Sequence, residues 1–552
     1  MRRKTLGAAI GLAGAALAAE ATADSVPRAP ELGAETWCAQ PAGSGGSAEA
    51  PPPVLIDGLG TSGIAPDTAS AEARAWFDQG VRLVWAFDEV EAIRAFQQAQ
   101  RLDPACAMCA WGEAWARGPT INLQPRTEEL AAARAAAERA VRLSRRLGDR
   151  DKRLIRAMLQ RTGRKEFRNE RYAATMERLA ERYPADDAVN VIAADARMVA
   201  ASNLVEGSQP QRLLERVLAR NPNHSGAIHM YIHLTDWIDR QDLAERHAER
   251  LGRVAPAASH LVHMPSHTFY GVGRYGDAAA VNVAAIAADR AFVERARPAA
   301  SDYRTGLLAH NMHFAMNSAL MRGDGATALS VADQFRQRYL SGSDTPRFML
   351  PASAVWYSEG LHAPVERVLA IAEPPETNPI FRALRHYARG EALARRGDAA
   401  AIRGEARAIQ ALREGPQAAA LGGRMGASVL EIAQLVLEGR AAMIQGDHRA
   451  AAAAYRSAME RQIAASFGSD PPVWWYSVRR SLAAALLASG DHASAREQLV
   501  ASLERWPNDS LALYALSRAE EALGNRAAAA AALARAAAGW SGDVRAVPLA
   551  RI

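Results

Sequence analysis

Histidine is concentrated in one short stretch of this sequence. Nine of the 13 histidines lie between His224 and His313, where even spacing along 552 residues would place about two. Eight of these nine occur in the segments HSGAIHMYIHLTD, SHLVHMPSHTFY and HNMHF. Imidazole is the commonest metal ligand among side chains and also transfers protons near neutral pH. Metal binding is therefore the first chemistry that the sequence suggests.

The spacing of these histidines follows two periods. His229 and His233 are four residues apart, as are His263 and His267, so each pair points from one face of a helix. The two pairs are separated by 34 residues, position for position. If the chain is built from repeats of that length, the pairs are equivalent and stack on each other.

Landmark residues at the expected offsets support a repeat of about 34 residues. Small residues let two antiparallel helices approach closely, while aromatic residues fill the space between repeats. The best preserved unit contains Trp76, Gly80, Ala92, Phe96, Ala99 and Pro104. This pattern resembles the tetratricopeptide repeat (TPR). We therefore predict an all-α fold, a right-handed TPR-like α-solenoid of antiparallel helix pairs over residues 67–540.

The repeat register places the histidines on one surface. The register is obtained by counting back along each repeat from Ala244, Ala278 and Ala328. In this register the histidines occupy the second, fifth and ninth positions of the first helix of a repeat. These positions line the concave groove of such solenoids. Neighbouring helix axes lie about 8–10 Å apart, a gap that imidazole ligands bridge through a metal ion. The predicted site lies in segment 224–317, and its predicted metal ligands are His229, His233, His260, His263, His267, His310 and His313.

Two further residues take the twelfth, groove-facing position. Asp236 is a candidate general base or carboxylate ligand, and Tyr270 is a candidate proton donor. Both are therefore predicted as catalytic residues. Outside this segment, DPPVWWYSVRRSL begins at Asp470 and is read as core packing or as an aromatic wall of the groove.

Three function classes remain open at this stage. All-imidazole ligation suits copper or zinc, with iron a further option, and disfavours calcium and magnesium. Two sets of three histidines suit a two-metal copper oxidoreductase or zinc hydrolase that acts on a small molecule or a peptide. The alternatives are a scaffold that binds a peptide or protein in its groove, and a metal-delivery protein with the same ligands.

Charge and hydropathy narrow the range of partners. The chain has 66 Lys and Arg against 60 Asp and Glu, a net charge of +6, with the two signs interleaved. Such a pattern indicates solvated helix faces and no nucleic-acid partner. After the first 23 residues, no segment reaches the ~18 uncharged apolar residues of a membrane span, so we expect no membrane insertion.

The chain start has the pattern of an export signal. Residues 1–23 have a basic start, a short apolar stretch and the small-residue site Ala21-Thr22-Ala23, so we expect cleavage and a periplasmic or secreted protein. A flexible or irregular leader is predicted over 24–66 and a tail over 541–552. Cys106 and Cys109 are read as a local disulfide or as buried thiols, with metal ligation as a third option.

The chain also resembles a group of exported bacterial TPR proteins of largely unassigned function. The resemblance is carried by DPACAMCAWGEAW, NPNHSGAIHMYIH, HLVHMPSH, HNMHF and DPPVWWYSVRRSL, and it covers the chain from about Gly60 onward. Those proteins tend to have Glu at the position of Asp236, a conservative difference. The resemblance implies a TPR fold and an exported location.

Export is testable on protein made by its native host. We expect the mature chain to begin at Asp24, because signal peptidase cleaves after Ala-x-Ala sites. Intact-mass analysis measures this directly. A purified product that retains Met1 would contradict the expectation.

Overall fold

A computed structural model describes residues 51–125, 127–201, 203–340, 349–374, 378–416, 418, 423–465 and 470–552. The predicted signal segment 1–23 and Cys38 lie outside this part of the chain. The leader predicted over 24–66 is described only from residue 51, and it has no helix or strand there.

The described residues are built from α-helices joined by short turns. The first half contains α1 (Ala71–Trp85), α2 (Glu89–Leu102), α3 (Ala107–Ala116), α4 (Thr127–Leu143), α5 (Asp149–Arg161), α6 (Asn169–Arg182), α7 (Asp187–Ala200), α8 (Gln209–Arg220), α9 (Ser225–Trp237), α10 (Glu245–Val254), α11 (Ser259–His263), α12 (Pro265–Gly271) and α13 (Tyr275–Ala296). The second half contains α14 (Asp302–Arg322), α15 (Gly325–Phe335), α16 (Met349–His362), α17 (Val365–Leu369), α18 (Pro379–Arg396), α19 (Ala399–Glu414), α20 (Gly423–Ile444), α21 (His448–Ala465), α22 (Arg479–Ala488), α23 (His492–Arg505), α24 (Ser510–Ala522) and α25 (Arg526–Gly539).

The helices pack in the order in which they follow one another. Consecutive helices such as α1 and α2 contact each other, and alternate helices such as α1 and α3, α18 and α20, or α22 and α24 also stack. This pattern is that of a solenoid in which each helix pair buries its apolar face on its neighbours. In the part of the chain described above, the only β contact is an isolated bridge between Thr162 and Phe167. The predicted all-α solenoid is confirmed.

The histidine-rich helices are covered on one side by the segment that precedes α1. Ile56, Leu59 and Ile64 in this segment are buried. The Thr61 amide donates to Ser225 Oγ at 3.1 Å, at the start of α9. The Ala257 amide, just before α11, donates to the Gly58 carbonyl at 2.9 Å. Residues 51–66 therefore form part of the wall around the histidines.

On another side, the late repeats fold back onto the same region. The Asn508 side-chain amide donates to the Val272 carbonyl at 3.3 Å. Gly273, with a φ of +77°, lies so close to this turn that a Cβ would be 1.9 Å from the Pro507 carbonyl oxygen. Only glycine fits that approach. Early and late repeats are thus in direct contact around the centre of the solenoid.

Two further expectations concern cysteines and membrane spans. Cys106 and Cys109 form a disulfide at the start of α3, one of the alternatives considered for this pair. No described helix combines the length and the apolar character needed to cross a bilayer.

A pair of glycine substitutions tests how tightly α9 packs on α1. A Cβ at Gly226 would lie 2.5 Å from the Trp85 ring, so Gly226→Ala should destabilise the protein by about 1–3 kcal/mol. Gly252, inside α10, has no atom within 4 Å of a Cβ, so Gly252→Ala should stabilise by about 0.5–1 kcal/mol. Urea unfolding of both variants measures the difference. Equal stability of the two would show that α9 does not depend on this close approach.

Candidate metal centre

The structure gathers six of the seven predicted histidine ligands into two adjacent groups. In each group, one ring nitrogen from every member lies within 4.8 Å of the others. We call His229, His233 and His260 the first triad, and His263, His267 and His310 the second triad. Each triad combines one pair spaced by four residues with one histidine from another helix.

The first triad joins α9 to α11. His229 and His233 project from one face of α9, and His229 Nε2 lies 3.1 Å from His233 Nε2. His260, from α11, brings its Nε2 to 2.9 Å from His229 Nε2. The Nε2 atoms of His233 and His260 therefore both lie next to that of His229.

The second triad joins α11, α12 and α14. Pro265 begins α12, but Met264 before it keeps right-handed helical dihedral angles, so the spacing of His263 and His267 is preserved. Their Nε2 atoms are 3.0 Å apart. The His310 ring lies 4.8 Å from the His263 ring and 5.8 Å from that of His267, centroid to centroid.

Acceptors behind the rings fix which nitrogen carries the proton. In the first triad, His229 Nδ1 lies 2.6 Å from the Trp85 carbonyl oxygen, which only accepts hydrogen bonds. Trp85 is the last residue of α1, so its carbonyl has no partner within the helix. His229 must donate through Nδ1–H, and its Nε2 lone pair then faces the other two rings.

The second triad is anchored in the same manner. His263 Nδ1 is 2.7 Å from Asn282 Oδ1, whose amide nitrogen is already donating to the Ala278 carbonyl. His267 Nδ1 is 2.5 Å from Asp470 Oδ2. Both rings therefore donate through Nδ1 and turn Nε2 toward each other. Hydrogen bonds of this kind at Nδ1 orient histidine ligands around a metal.

Two ring nitrogens at these distances are held together either by a proton on one of them, as in an N–H···N hydrogen bond, or by a metal ion between them. The Nε2 separations are 2.9–3.1 Å. Three nitrogens at 2.0–2.1 Å from one ion stand about 3.3–3.6 Å apart, so a transition-metal ion needs only a small outward shift of the rings. A proton is the other cation that fits, since it converts one lone pair into a donor.

The two triads differ in the pKa values of their histidines. Burial lowers the pKa of His229 to about 3 and holds the pKa values of His233 and His260 well below the ordinary range. The first triad is therefore neutral at pH 7, as ligation requires. Burial also opposes protonation of His267, but the carboxylates of Asp470 and Asp236 outweigh it and raise that pKa to about 10. In metal-free protein, His267 holds the proton that an ion would displace.

A phenylalanine ring covers each triad. The Phe87 ring centroid lies 4.5 Å from His229, 5.9 Å from His233 and 5.4 Å from His260. Phe314 contacts all three rings of the second triad at 4.9–5.3 Å. These apolar covers exclude water, which strengthens any electrostatic interaction inside.

Phe87 also has an unusual backbone. Its φ is +54°, and the Asp88 and Phe87 amides donate to the Leu83 and Val84 carbonyls in the two bonds of a Schellman helix end. Glycine is the usual residue there, because the left-handed conformation costs other residues about 1–2 kcal/mol. Here a phenylalanine is kept at that cost, and its ring reaches the first triad.

Three predicted site residues lie outside both triads. His313 Nε2 accepts a hydrogen bond from Asn317 at 3.2 Å, and Asn317 also donates to the Pro472 carbonyl, so this pair seats the loop that carries Asp470. The geometry gives no support to His313 as a ligand. Asp236 places a carboxylate oxygen 3.6 Å from His267 Nδ1 and acts on the back of that ring.

Tyr270 stands one ring away from the second triad. Its ring contacts Phe314 at 5.8 Å and Tyr275 at 5.0 Å, and its hydroxyl has no hydrogen-bond partner among the described residues. Burial raises its pKa well above the ordinary range. At this position the hydroxyl is neutral and does not contact either triad.

The expectation that the histidines line an open groove needs correction. All six triad residues are at most 5% exposed, because residues 51–66 and the late repeats close around them. The centre is therefore an enclosed interior site. Sequence reasoning also missed Trp85, Phe87, Asn282, Phe314 and Asp470 as its supporting residues. Phe314 and Asp470 belonged to segments that had drawn attention, and Asp470 lies 203 residues from the histidine that it holds.

Comparisons with known proteins give distant similarity only. No family model and no curated protein matches the chain. A human IFIT1 dimer with m7Gppp-AAAA has 14% identity over 86% of this chain and 91% of its own, with a TM-score of 0.28. The TPR domain of P58(IPK) has 11% identity over 82% and 99%, with a TM-score of 0.24. Naa15/Naa10 bound to HypK-THB has 12% identity over 87% and 90%, with a TM-score of 0.22.

The two triads should differ in how pH affects metal binding. An ion entering the second triad must displace the proton on His267, so its affinity should rise about tenfold per pH unit between pH 7 and 9. Affinity of the first triad should stay constant over this range, because its rings are already neutral. Chelator competition with zinc on His229→Ala and His263→Ala measures the second and first triads separately. The same pH slope in both variants would contradict the assigned proton.

Proposed function

We propose that this chain is an exported metal-dependent oxidoreductase whose centre is a pair of copper ions, one in each histidine triad, and that it acts on a small organic molecule. The observation that carries the proposal is that each of two buried triads brings one ring nitrogen from every member within 4.8 Å of the others, with His229, His263 and His267 anchored through Nδ1.

The donor set favours copper. Six imidazoles divided three and three, with no carboxylate in the first triad, match the preference of copper for nitrogen ligands. Asp470 and Asp236 approach His267 from behind, at Nδ1, and so hold the ligand. Zinc also binds imidazole, and a zinc hydrolase is the alternative that metal analysis separates from this one.

The triads are close enough for their ions to work together. Rings of opposite triads lie 5.9 Å apart between His260 and His263, and 6.1 Å apart between His233 and His267. Two ions held there share one enclosed interior. A copper pair supplies the transfer of electrons from an organic substrate to dioxygen, while this chain binds and orients the substrate and excludes water.

Location and oxidation state are consistent with the proposal. The basic start, apolar stretch and Ala-x-Ala site support export, and the Cys106–Cys109 disulfide suits an oxidising compartment. All six histidines are buried, so they cannot contact a peptide or protein partner, and this weakens the scaffold hypothesis. Other surfaces of the solenoid stay available to a peptide or protein partner.

Metal content tests the proposal directly. Protein exported in the presence of copper should contain two copper ions per chain by elemental analysis. His310→Ala should reduce this to one, because it removes a donor from the second triad. His247→Ala is the matched control, a buried histidine of α10 outside both triads, and it should retain both ions.

Each outcome has a defined meaning. Two copper ions and copper-dependent oxygen consumption with small organic reductants would support the oxidoreductase. Two zinc ions with hydrolytic activity would support the hydrolase instead. Protein that takes up neither copper, zinc nor iron at neutral pH would overturn the metal centre and leave the scaffold as the better hypothesis.

A further inference from the structure

A third group of metal-ligating side chains lies behind the second triad. It consists of Asp236 from α9, His267 from α12 and Asp470 from the loop before α22, and one ligand atom from each lies within 4.8 Å of the other two. Asp470 Oδ2 is 2.5 Å from His267 Nδ1, and Asp236 Oδ2 is 3.6 Å from the same nitrogen. We call these three residues the outer group. It lies at Nδ1 of the ring, whereas the triad lies at Nε2.

The outer group has one carboxylate more than His267 requires. The ring has a single N–H at Nδ1, and Asp470 already accepts it. Asp236, at 3.6 Å, is beyond the usual hydrogen-bond distance of that nitrogen and accepts instead from the Gln241 side-chain amide at 3.1 Å. Two carboxylates therefore face one protonated imidazole, and one negative charge is left over. Like charges so close together are unfavourable, and a further cation would compensate them.

The outer group is open to solvent, unlike either triad. The side chains of Asp236 and Asp470 are 21% and 33% exposed, whereas every triad residue is at most 5% exposed. Arg505 lies nearby, but it donates a hydrogen bond to Asp239 at 3.2 Å. An ion can therefore reach the two carboxylates from water and keep water molecules as its remaining ligands.

A buried hydroxyl is a second indication of a ligand at this position. Tyr270 follows His267 by three residues on α12, and its hydroxyl is buried with no hydrogen-bond partner among the described residues. Burial raises the pKa of this hydroxyl, and the carboxylate of Asp470 raises it more than any other charge does. The hydroxyl therefore lies on the side of the outer group. Its unused proton suits a water or hydroxide ligand of an ion.

We propose that Asp236, Asp470 and Nδ1 of His267 bind a divalent cation that takes mixed oxygen and nitrogen ligands. Ligand atoms at about 2.0–2.2 Å from one ion stand about 2.9–3.6 Å apart, so the outer group needs shifts of only about 1 Å. The ion takes the place of the proton on Nδ1, while Nε2 stays turned toward His263. The His267 ring then bridges this ion and the second triad. The outer site goes beyond the copper centre, and its occupancy does not depend on copper.

Titration of the purified full chain with Mn²⁺ alone, with free Mn²⁺ measured by electron paramagnetic resonance, tests the site. We expect one Mn²⁺ per chain, because this ion prefers carboxylate ligands and binds weakly to sites made of imidazole only. Asp236→Asn keeps the shape of the side chain and removes its charge, so the affinity should fall at least about tenfold. Asp242→Asn removes an exposed carboxylate just after α9 and is the matched control, which should leave the affinity unchanged.

Two further measurements locate the bound ion. Pulsed electron paramagnetic resonance should detect one directly bound nitrogen, because His267 supplies the only nitrogen of the outer group. Asp236→Glu keeps a carboxylate at a partly exposed position and should retain Mn²⁺. Failure to bind Mn²⁺, equal affinity in Asp236→Asn, loss of binding in Asp236→Glu, or a count of three bound nitrogens, which places the ion in a triad, would each overturn the proposal.

The same samples separate failure of the outer site from failure of the proposed function. Because the outer group is open to solvent, dialysis against a chelator should strip its ion while the enclosed triads keep theirs, so elemental analysis after dialysis counts the triads alone. If two copper ions remain and Mn²⁺ does not bind, the outer site is wrong and the copper centre stands. If Mn²⁺ binds as described to protein whose triads take up no metal, the outer site stands and the oxidoreductase proposal fails.

Discussion

The structure depends on one electrostatic constraint, namely that imidazole ring nitrogens face each other in a buried interior. His229 Nε2 lies within 3.1 Å of two other Nε2 atoms, and its own Nδ1–H is committed to the Trp85 carbonyl. Each facing pair needs a proton or a metal ion between its two nitrogens, because low dielectric surroundings strengthen the repulsion between bare lone pairs. The Trp85 carbonyl, the Asn282 amide and the Asp470 carboxylate hold three of the rings in this orientation. Packing alone would not orient the rings in this way.

The same constraint explains how distant parts of the chain are connected. The first triad depends on the end of α1, where Phe87 accepts a left-handed backbone and places its ring on the histidines. The second depends on Asp470, which reaches His267 from a loop seated by Asn317. A solenoid whose repeats contact only their neighbours has no need for such links. Here they bring early, central and late repeats together around one centre.

Much of the architecture could be predicted from the sequence, because it follows from local periodicity. The 34-residue echo between the two histidine pairs identified both the repeat and the stacked rings, and six of the seven predicted ligands lie in the triads. His313 was included on register alone, yet its ring turns to Asn317. The repeat register specifies the helix face on which a side chain lies. It does not specify which of two neighbouring histidines on that face joins the triad.

The supporting residues could not be found in this way, because their contacts are long-range. The Trp85 carbonyl is a backbone group, which a side-chain pattern does not show. Asp470 lies 203 residues from its partner, and the closure of the solenoid that brings them together depends on contacts such as that of Gly273 with Pro507. For the same reason, an open groove was expected where the structure has an enclosed centre.

Anomalous diffraction at the copper absorption edge, from crystals of protein exported with copper, tests the central claim most directly. The account predicts two peaks per chain, one within about 2.0–2.2 Å of the Nε2 atoms of His229, His233 and His260, and one equally close to those of His263, His267 and His310. Copper-replete crystals with no peak inside either triad, and with the facing nitrogens still 2.9–3.1 Å apart, would contradict it. In that case protons, and not metal ions, would occupy the space between the rings.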